Sequence, residues 1–270
     1  MTARELAESL RQRGDIEVRF LDQGPQWYAV EECDVLLIML PSYDVSKITK
    51  ERVNLLKIVW MRNWFHLFYQ VPSFGAIDLV LASSAVATTY FAGADDFAVR
   101  CSHRCPGIIQ ELIPRRKYVH TDTSLGNYWN CHRQIMELDP SSLRGYVGHV
   151  YGKGWEVRME YYNIYAAGLS HTFFLYRSAS ILIDDANHVT KPWGSVNSRV
   201  YDGLAGGALV ITNGELGSNC SFGGLIPTYR TVTELEKKLK YFLNNDKDRE
   251  RTVRSLQALI IEKHTYANRA

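Results

Sequence analysis

A cluster of polar and cationic side chains lies between residues 191 and 202. Lys191, Ser195, Asn197 and Arg199 are suited to hold an anionic group, because they combine positive charge with hydrogen-bond donors. Asp202 follows one helical turn after Arg199, where its carboxylate could accept hydrogen bonds from two sugar hydroxyls. The cluster therefore predicts a site for a ligand that carries both an anionic group and a sugar.

The segments around this polar cluster predict a strand, a loop, a helix and a second strand. Ile181–Asp184 is short and apolar, which is typical of a strand buried on both faces. A helix is predicted from Asn197 to Ala205, Gly206-Gly207 ends it, and Leu209–Ile211 begins the next strand. In an open α/β sheet, ligands bind at the loop that leaves the carboxyl end of such a strand.

The remaining sequence repeats the same alternation of strands and helices. In the first half, the predicted strands are Glu17–Leu21, Asp34–Leu40, Leu55–Met61 and Asp78–Ser83, and the predicted helices are Ala3–Arg13 and Ala85–Phe91. In the second half, the predicted strands also include Tyr118–Thr121 and Tyr146–Tyr151, and the predicted helices include Cys131–Leu138, Leu169–Arg177 and Asp246–Lys263. Thr231 and Glu234 form a capping-box pattern before a helix that carries Leu235, Leu239 and Phe242 inward. This alternation predicts an α/β fold with parallel sheets.

Two domains are expected in a chain of 270 residues with this pattern. Pro106 to Arg116 has a proline near each end and a basic cluster at its close, which is typical of a junction. We therefore predict two Rossmann-like units, at residues 1–113 and 114–270.

Composition excludes several classes of function. A net charge of +2, without a run approaching five like charges, gives no reason to expect a nucleic-acid partner. The longest apolar runs are too short to cross a bilayer, and no signal peptide is visible. The five cysteines are odd in number and irregularly spaced, which predicts reduced thiols and a cytoplasmic location.

A metal site is not expected either. Cys101-x-His103-x-Cys105 offers three possible zinc ligands, but structural zinc requires four, and no second pair has matching spacing. Asp184-Asp185 ends a predicted strand and is interpreted as structural rather than as a metal motif.

The sequence of residues 197–211 resembles the donor-site helix of the GT-B glycosyltransferases, with the pattern Asn-x-Arg-x-x-Asp-x-Leu-Ala-x-Gly-Ala-x-Val-Ile. The resemblance is to the branch around the spore maturation protein CgeB, and it extends over nearly the whole chain. Its further motifs are Leu6–Gly14 with Glu17-Val18, Tyr151–Trp155, Pro227–Thr231 with Glu234-Leu235, and His264–Ala270. The C-terminal half carries the specific part of the likeness.

The resemblance implies a metal-independent, cofactor-free transfer of a sugar from a nucleotide-diphosphate sugar to an acceptor. Asp202 would bind the ribose, and Lys191, Asn197 and Arg199 would form a diphosphate clamp together with the loop residue Ser195. A partner glutamate expected eight residues before Asp202 is replaced here by Gly194.

Other donor-binding positions are implied in two more loops of the second unit. They are Gly126, Asn127, Arg133, Gly152, Gly154 and Trp155. A surface turn is an equal alternative for Gly126-Asn127, and Trp155 could stack beside the nucleobase or belong to the core.

The catalytic residue is not identified by any motif. A general base is expected from the N-terminal unit, facing the acceptor. The candidates are Asp44 and His66, which lie near predicted strand ends. Asn63 and Trp64 could line the same cleft. The acceptor could be a glycan, a lipid-linked sugar or a protein.

The chain begins at a helix where GT-B enzymes have a preceding strand, so we expect a shortened N-terminal unit or a piece of a longer protein. Two other functions remain open, a non-catalytic nucleotide- or glycan-binding module and a sugar-nucleotide epimerase.

Overall fold

The computed structural model describes residues 2–62, 64–95, 98–100, 118–121, 133–139, 147–151, 163–165 and 176–268. The chain divides into two units, unit 1 with Met1–His103 and Arg269–Ala270, and unit 2 with Arg104–Asn268. Both are built on parallel sheets, so the predicted α/β class is confirmed. The predicted boundary at residues 113 and 114 and the Cys101-x-His103-x-Cys105 segment lie outside the described residues.

Unit 1 is built, among its described residues, on a four-stranded parallel sheet in the order β1-β2-β3-β4. The strands are β1 (Val35–Ile38), β2 (Leu56–Met61), β3 (Leu79–Ala82) and β4 (Ala98–Arg100). The first three were predicted and are confirmed with slightly shorter bounds. The short β4 was not predicted.

The strand predicted at Glu17–Leu21 is wrong. These residues pair with no neighbouring strand in the described part of unit 1; Glu17 and Arg19 are exposed, and Val18, Phe20 and Leu21 are only half-buried. The Val18 carbonyl accepts a hydrogen bond from the Arg11 side chain at 3.2 Å instead of joining a ladder. An apolar alternation over five residues is therefore not enough to form a strand when no sheet edge receives it.

The helices of unit 1 follow the predicted pattern at the start and around β3. Helix α1 (Thr2–Arg11) ends before the predicted Arg13, and it buries Leu6 while Leu10 stays half-buried. Helix α2 (Phe65–Tyr69) was not predicted, and helix α3 (Ala85–Asp95) extends the predicted segment by one turn. Because β2 and α2 are only three residues apart, the connection between them must turn sharply.

Trp64 makes that turn in a left-handed backbone conformation. It is the N-cap of α2, with φ 55° and ψ 39°, and it is the only non-glycine residue with positive φ in the described part of the chain. The next side chain, Phe65, is fully buried, so its packing fixes where α2 must begin. A bulky residue in this region is strained by about 1–2 kcal/mol.

We predict that Trp64→Gly is more stable than Trp64→Ala by roughly 0.5–1 kcal/mol, because both lose the indole but only glycine relieves the backbone. Urea unfolding of the two variants measures the difference. The same pair of substitutions at Tyr90, an exposed residue inside α3, should give the opposite order, since alanine favours a helix interior over glycine. An alanine variant at position 64 that equals or exceeds the glycine variant would contradict the strain.

Unit 2 contains a five-stranded parallel sheet in its described residues, in the order β7-β6-β5-β8-β9. The strands are β5 (Tyr118–Thr121), β6 (Val147–Tyr151), β7 (Asn163–Tyr165), β8 (Ile181–Asp184) and β9 (Leu209–Thr212). Only β7 was not predicted. The chain steps outward from β5 to β7 and then returns to the other side of β5, so the strand order reverses between β5 and β8. Ligands of open α/β sheets bind at the carboxyl ends of the strands at such a reversal.

The core of unit 2 surrounds β8 and β9, whose residues are all buried. Helices α4 (Ser198–Ala205), α5 (Glu215–Phe222), α6 (Val232–Asn244) and α7 (Asp246–Lys263) complete the described part of this unit. The predicted helices at α4, α6 and α7 are confirmed. Helix α5 was missed, because its glycine, serine, asparagine and cysteine are poor helix formers.

The capping pattern before α6 is confirmed with one change. The Thr231 hydroxyl accepts from the Glu234 backbone N–H at 3.2 Å, as predicted. The Glu234 carboxylate reaches back to the N–H of Arg230, at 2.8 Å, rather than to the N–H of Thr231 itself. Leu235 and Leu239 are buried as expected, whereas Phe242 is only half-buried.

The α-helix predicted at Cys131–Leu138 is wrong in its described part, which forms a 3-10 turn at Gln134–Glu137. The Ile135 N–H donates to the Asp185 side chain at 2.9 Å and is not used for an α-helical bond. Asp139 precedes a proline, which disfavours helical backbone at that residue. Of the helix predicted at Leu169–Arg177, only the end from Tyr176 lies within the described residues, and it is helical.

Candidate functional site

The candidate site lies where β8 and β9 end side by side. Asp184, the last residue of β8, stands opposite Thr212, the last residue of β9. The loop that leaves β8 runs to Asn197 and delivers the chain to α4. These residues lie at the carboxyl edge of the sheet, on the side of β5 where the strand order reverses.

Asp184 connects β9 with the start of α4. Its Oδ2 accepts from the Thr212 hydroxyl at 2.8 Å, and its Oδ1 accepts from the Asn197 amide at 2.9 Å. The Arg199 guanidinium lies 3.8 Å from the same Oδ1, a distance that indicates an ion pair rather than a direct hydrogen bond. The side chains of Arg199 and Asp184 are only 10% and 3% exposed, so each charge depends on the other.

Asn197 is the N-cap residue of α4, but its side chain does not cap the helix. Its amide is turned to Asp184 instead. The first turn of α4 therefore lacks the usual side-chain acceptor at its positive end, and a bound anion is the natural substitute.

Asp202 lies one turn further along α4 than Arg199 and is half-buried. Arg199 and Asp202 are three residues apart on α4, the spacing of residues that are neighbours on a helix surface. The predicted helix is confirmed, and the roles of Asn197, Arg199 and Asp202 toward a ligand stay predictions.

Asp185 organises the other side of the β8 end. Its carboxylate accepts from the Ile135 N–H at 2.9 Å and from the Asn213 amide at 2.7 Å, and its backbone carbonyl accepts from Arg133 at 2.6 Å. Burial raises the pKa of the Asp185 carboxyl above its usual value, and the bond from Ile135 and the charge of Arg133 oppose that rise. The interpretation of Asp184-Asp185 as structural agrees with these contacts.

Arg133 is buried beside Asp185, with 4% of its surface exposed. Its Nε has no hydrogen-bond partner among the described residues. A buried donor in that state leaves room for an acceptor atom such as a phosphate oxygen or a water. Arg133 therefore stays a candidate donor-binding residue.

Asn213 and Gln134 belong to the site but were missed by the sequence analysis. Asn213 donates to Gln134 Oε1 and accepts from the Ala186 N–H, both at 2.7 Å. The available signal was the position of Asn213 directly after a buried apolar strand, at the same sheet edge as Asp184.

The loop between β8 and α4 holds the remaining predicted positions. Lys191 is exposed at the start of a 3-10 turn, and Ser195 is buried, with its N–H donating to the Thr190 carbonyl at 3.2 Å. Gly194 ends the turn with φ 62°, and a Cβ added there would meet Leu216 Cγ at 2.8 Å. A side chain at this position would have a strained backbone and would crowd Leu216.

Five predicted donor-binding positions lie outside the described residues: Gly126, Asn127, Gly152, Gly154 and Trp155. Their roles stay predictions.

The two candidate bases are in unit 1. Asp44 Oδ1 accepts from the backbone N–H of Ser46 at 3.1 Å and from the hydroxyls of Ser46 and Ser73, both at 2.7 Å. The bonds from Ser73 and then Ser46 lower the pKa of Asp44. The His66 ring lies 5.9 Å from the ring of Trp64, measured between centroids.

We predict that Gly194→Ala destabilises the protein more than Gly223→Ala does, by roughly 1 kcal/mol. Both glycines have similar positive φ, but a Cβ at Gly223 meets nothing within 4 Å. The common backbone strain therefore cancels in the comparison, and the steric contact with Leu216 remains. Free energies of unfolding from urea titration test this, and equal losses would show that the loop yields freely at position 194.

Unit 2 thus has a parallel sheet with a reversal point and a polar cluster at its carboxyl edge, which is the place where open α/β sheets bind ligands. Residues 132–270, more than half of the chain, match the model of the glycosyl transferase-like family. The chain belongs to that family. No curated protein sequence matches the chain.

Solved structures similar to this chain are GT-B glycosyltransferases, which confirms the class with Rossmann-like units. The crystal structure of TarM has a TM-score of 0.62 at 9% identity, and it covers 86% of this chain and 52% of its own. A point mutant of S. aureus TarM, in complex with fondaparinux, α-GlcNAc-glycerol and UDP, has a TM-score of 0.57 at 10% identity, with 85% and 52% covered. Apo OtsA has a TM-score of 0.55 at 8% identity, with 98% and 74% covered.

At these identities the likeness concerns the fold. The chain spans about half the length of the TarM chains. None of the helices in the described ranges combines the length and the apolar composition that crossing a bilayer requires.

Proposed function

We propose that this protein transfers a sugar from a nucleotide-diphosphate sugar to an acceptor, and that unit 2 binds the donor. The observation that carries this proposal is the start of α4, where Arg199 pairs with Asp184, the N-cap side chain is turned away to Asp184, and Asp202 follows three residues after Arg199 on the same helix. Family membership supports the reaction class. As part of the same proposal, we assign the protein to the CgeB branch of the GT-B glycosyltransferases and expect it in the cytoplasm.

The proposed role of Arg199 is to stabilise the diphosphate leaving group. Transfer releases a diphosphate whose negative charge grows as the sugar departs, and fixed positive groups stabilise that charge most effectively in a dry site. Arg199 is buried and oriented by Asp184, and the α4 dipole adds partial positive charge at the same place. Arg133 and Lys191 supply further cations, so the chemistry needs no metal ion.

The proposed role of Asp202 is to bind the ribose. An ionised carboxylate accepts from two neighbouring hydroxyls at once, and these charge-assisted bonds discriminate a ribonucleotide from analogues that lack the hydroxyls. Arg199 and Asp202 are three residues apart on α4, about 4.5 Å along the helix axis.

On the acceptor side, we propose Asp44 rather than His66 as the general base. Its carboxylate is oriented through Oδ1 by Ser46 and Ser73. The same bonds lower the pKa of Asp44, which makes the carboxylate a weaker base, so its proposed contribution is to position the acceptor hydroxyl and receive its proton. Ser73 also lines a small, mainly apolar depression near the end of β1. The acceptor itself is unidentified, and a glycan, a lipid-linked sugar or a protein would each present a hydroxyl.

Three outcomes separate this function from its alternatives when the protein is incubated with UDP-, GDP- and dTDP-sugars. Slow release of free sugar and nucleoside diphosphate, by transfer to water, supports a transferase. An epimerised nucleotide sugar would indicate an epimerase. Tight nucleotide binding without any turnover, including in the presence of candidate acceptors, would indicate a binding module.

We predict that a nucleoside diphosphate binds this protein without a divalent ion, because Arg199 and the α4 dipole provide the neutralising charge. Calorimetric titration of metal-free protein in EDTA should give the same dissociation constant as titration with added Mg²⁺. A dissociation constant that rises more than about tenfold in EDTA, a change of about 1.4 kcal/mol, would overturn metal independence.

We predict that Asp202→Asn weakens binding of a ribonucleoside diphosphate about tenfold or more, roughly 1.4 kcal/mol. The substitution keeps the size of the side chain but removes its charge and turns one acceptor into a donor. The 2′,3′-dideoxy analogue should bind the wild type and the variant equally, since it offers no hydroxyls. If the variant instead melts much lower and binds both ligands as the wild type does, Asp202 supports the helix and not the ribose.

A further inference from the structure

We propose that Asn213 is a positioning residue for donor binding, which acts through Asp185 to hold Arg133 against the phosphates. The proposal rests on the function proposed above and extends it to a residue that touches no ligand.

Asn213 uses all of its side-chain hydrogen-bonding groups to join three segments at the carboxyl edge of the sheet. Its Oδ1 accepts from the Ala186 N–H in the loop that leaves β8, at 2.7 Å. Its amide donates to Asp185 Oδ1 and to Gln134 Oε1, each at 2.7 Å. Gln134 in turn donates to the Arg230 carbonyl at 2.7 Å, at the entry to α6.

Asp185 carries the constraint from Asn213 to Arg133. One carboxylate oxygen accepts from Asn213 and the other from the Ile135 N–H, so the carboxylate is fixed from both sides. The carbonyl of the same residue accepts from Arg133 NH1 at 2.6 Å. The Asp185 carbonyl and the Ala186 N–H belong to one planar peptide unit, so the bond from the Ala186 N–H to Asn213 Oδ1 also fixes the acceptor that orients the guanidinium.

Burial makes this arrangement rigid. Asn213 and Asp185 are each 4% exposed, as is Arg133, so none of them exchanges its partners for water. Arg133 Nε is a buried hydrogen-bond donor without a partner among the described residues. An acceptor atom would satisfy this donor, and the donor phosphate is the acceptor that the proposed function brings there.

The pairing of an amide with a carboxylate allows a swap experiment. Asp185→Asn alone sets two amide donors against each other, and Asn213→Asp alone sets two buried carboxylates against each other. The double variant D185N/N213D restores an amide–carboxylate bond with reversed direction and nearly unchanged volume. We expect each single variant to bind UDP about tenfold more weakly than the wild type and the double variant to lie within about threefold of it.

Two comparisons distinguish positioning from general loss of structure. Uridine, which lacks phosphate, should bind every variant within about twofold, because only the phosphate contact of Arg133 depends on the network. Gln257→Ala is the matched control: Gln257 is also a buried amide, and it donates to the Leu204 carbonyl at 3.0 Å, at the far end of α4. It should lower the melting temperature as much as the single variants do and leave UDP affinity unchanged.

Arg133→Ala tests whether Asn213 acts through Arg133. Adding Asn213→Asp to Arg133→Ala should cause no further loss of UDP affinity beyond about twofold, since the residue being positioned is already absent. Multiplied losses would overturn the proposal, as would single variants that weaken uridine and UDP equally or a double variant no better than the singles. A wild type that binds neither UDP nor any other nucleoside diphosphate would instead overturn the proposed function itself.

Discussion

The requirement that two adjacent buried carboxylates be paired shapes the whole candidate site. Asp184 and Asp185 follow a strand that is buried on both faces, and both are almost inaccessible to water. A buried charge without partners is strongly unfavourable, so hydrogen-bond donors and cations must converge on this point. Asp184 contacts Asn197, Arg199 and Thr212. The side chain of Asp185 accepts hydrogen bonds from Ile135 and Asn213, which lie in two other segments. The polar residues at this edge of the sheet are thus arranged so that both buried carboxylates are paired.

Close packing beneath α4 supports that edge. A Cβ added to Gly203 would meet Leu182 Cδ2 at 2.6 Å, so the absence of a side chain lets α4 approach β8. The same holds at the end of the helix, where a Cβ at Gly206 would lie 2.9 Å from Tyr176 Cβ. Because α4 lies this close to the sheet, its first turn reaches Asp184 at the carboxyl edge. The glycines of the motif at residues 197–211 therefore help to place Arg199, and they also help to end the helix.

Much of unit 2 could be predicted from the sequence because its elements carry strong local signals. Ile181–Asp184 and Asp246–Lys263 have the predicted bounds, since a doubly buried strand and a long amphipathic helix each impose a clear pattern. The failures occur where tertiary contacts outweigh local preference. Ile135 gives its N–H to Asp185 and so leaves the predicted helix, and the residues from Glu17 find no neighbouring strand among the described residues. The candidate site was likewise predictable in its residue types but not in its connections. The roles of Asn213 and Gln134 depend on which strand ends lie side by side, and that follows from the strand order rather than from spacing along the chain.

Helix α4 is stabilised by its packing although its N-cap side chain bonds to a site residue instead of the helix. The helix gives up the N-cap bond that Asn197 would normally provide, a loss of about 1 kcal/mol, because that amide is bound to Asp184. Six of its eight residues are buried, and Gln257 on α7 donates to the Leu204 carbonyl at its C-terminal end. The burial of these residues in the core of unit 2 holds the helix without an N-terminal cap. Under the proposed function, the N-terminus of α4, with Arg199 beside it, is where a diphosphate would bind and supply the capping interaction that the Asn197 side chain does not make.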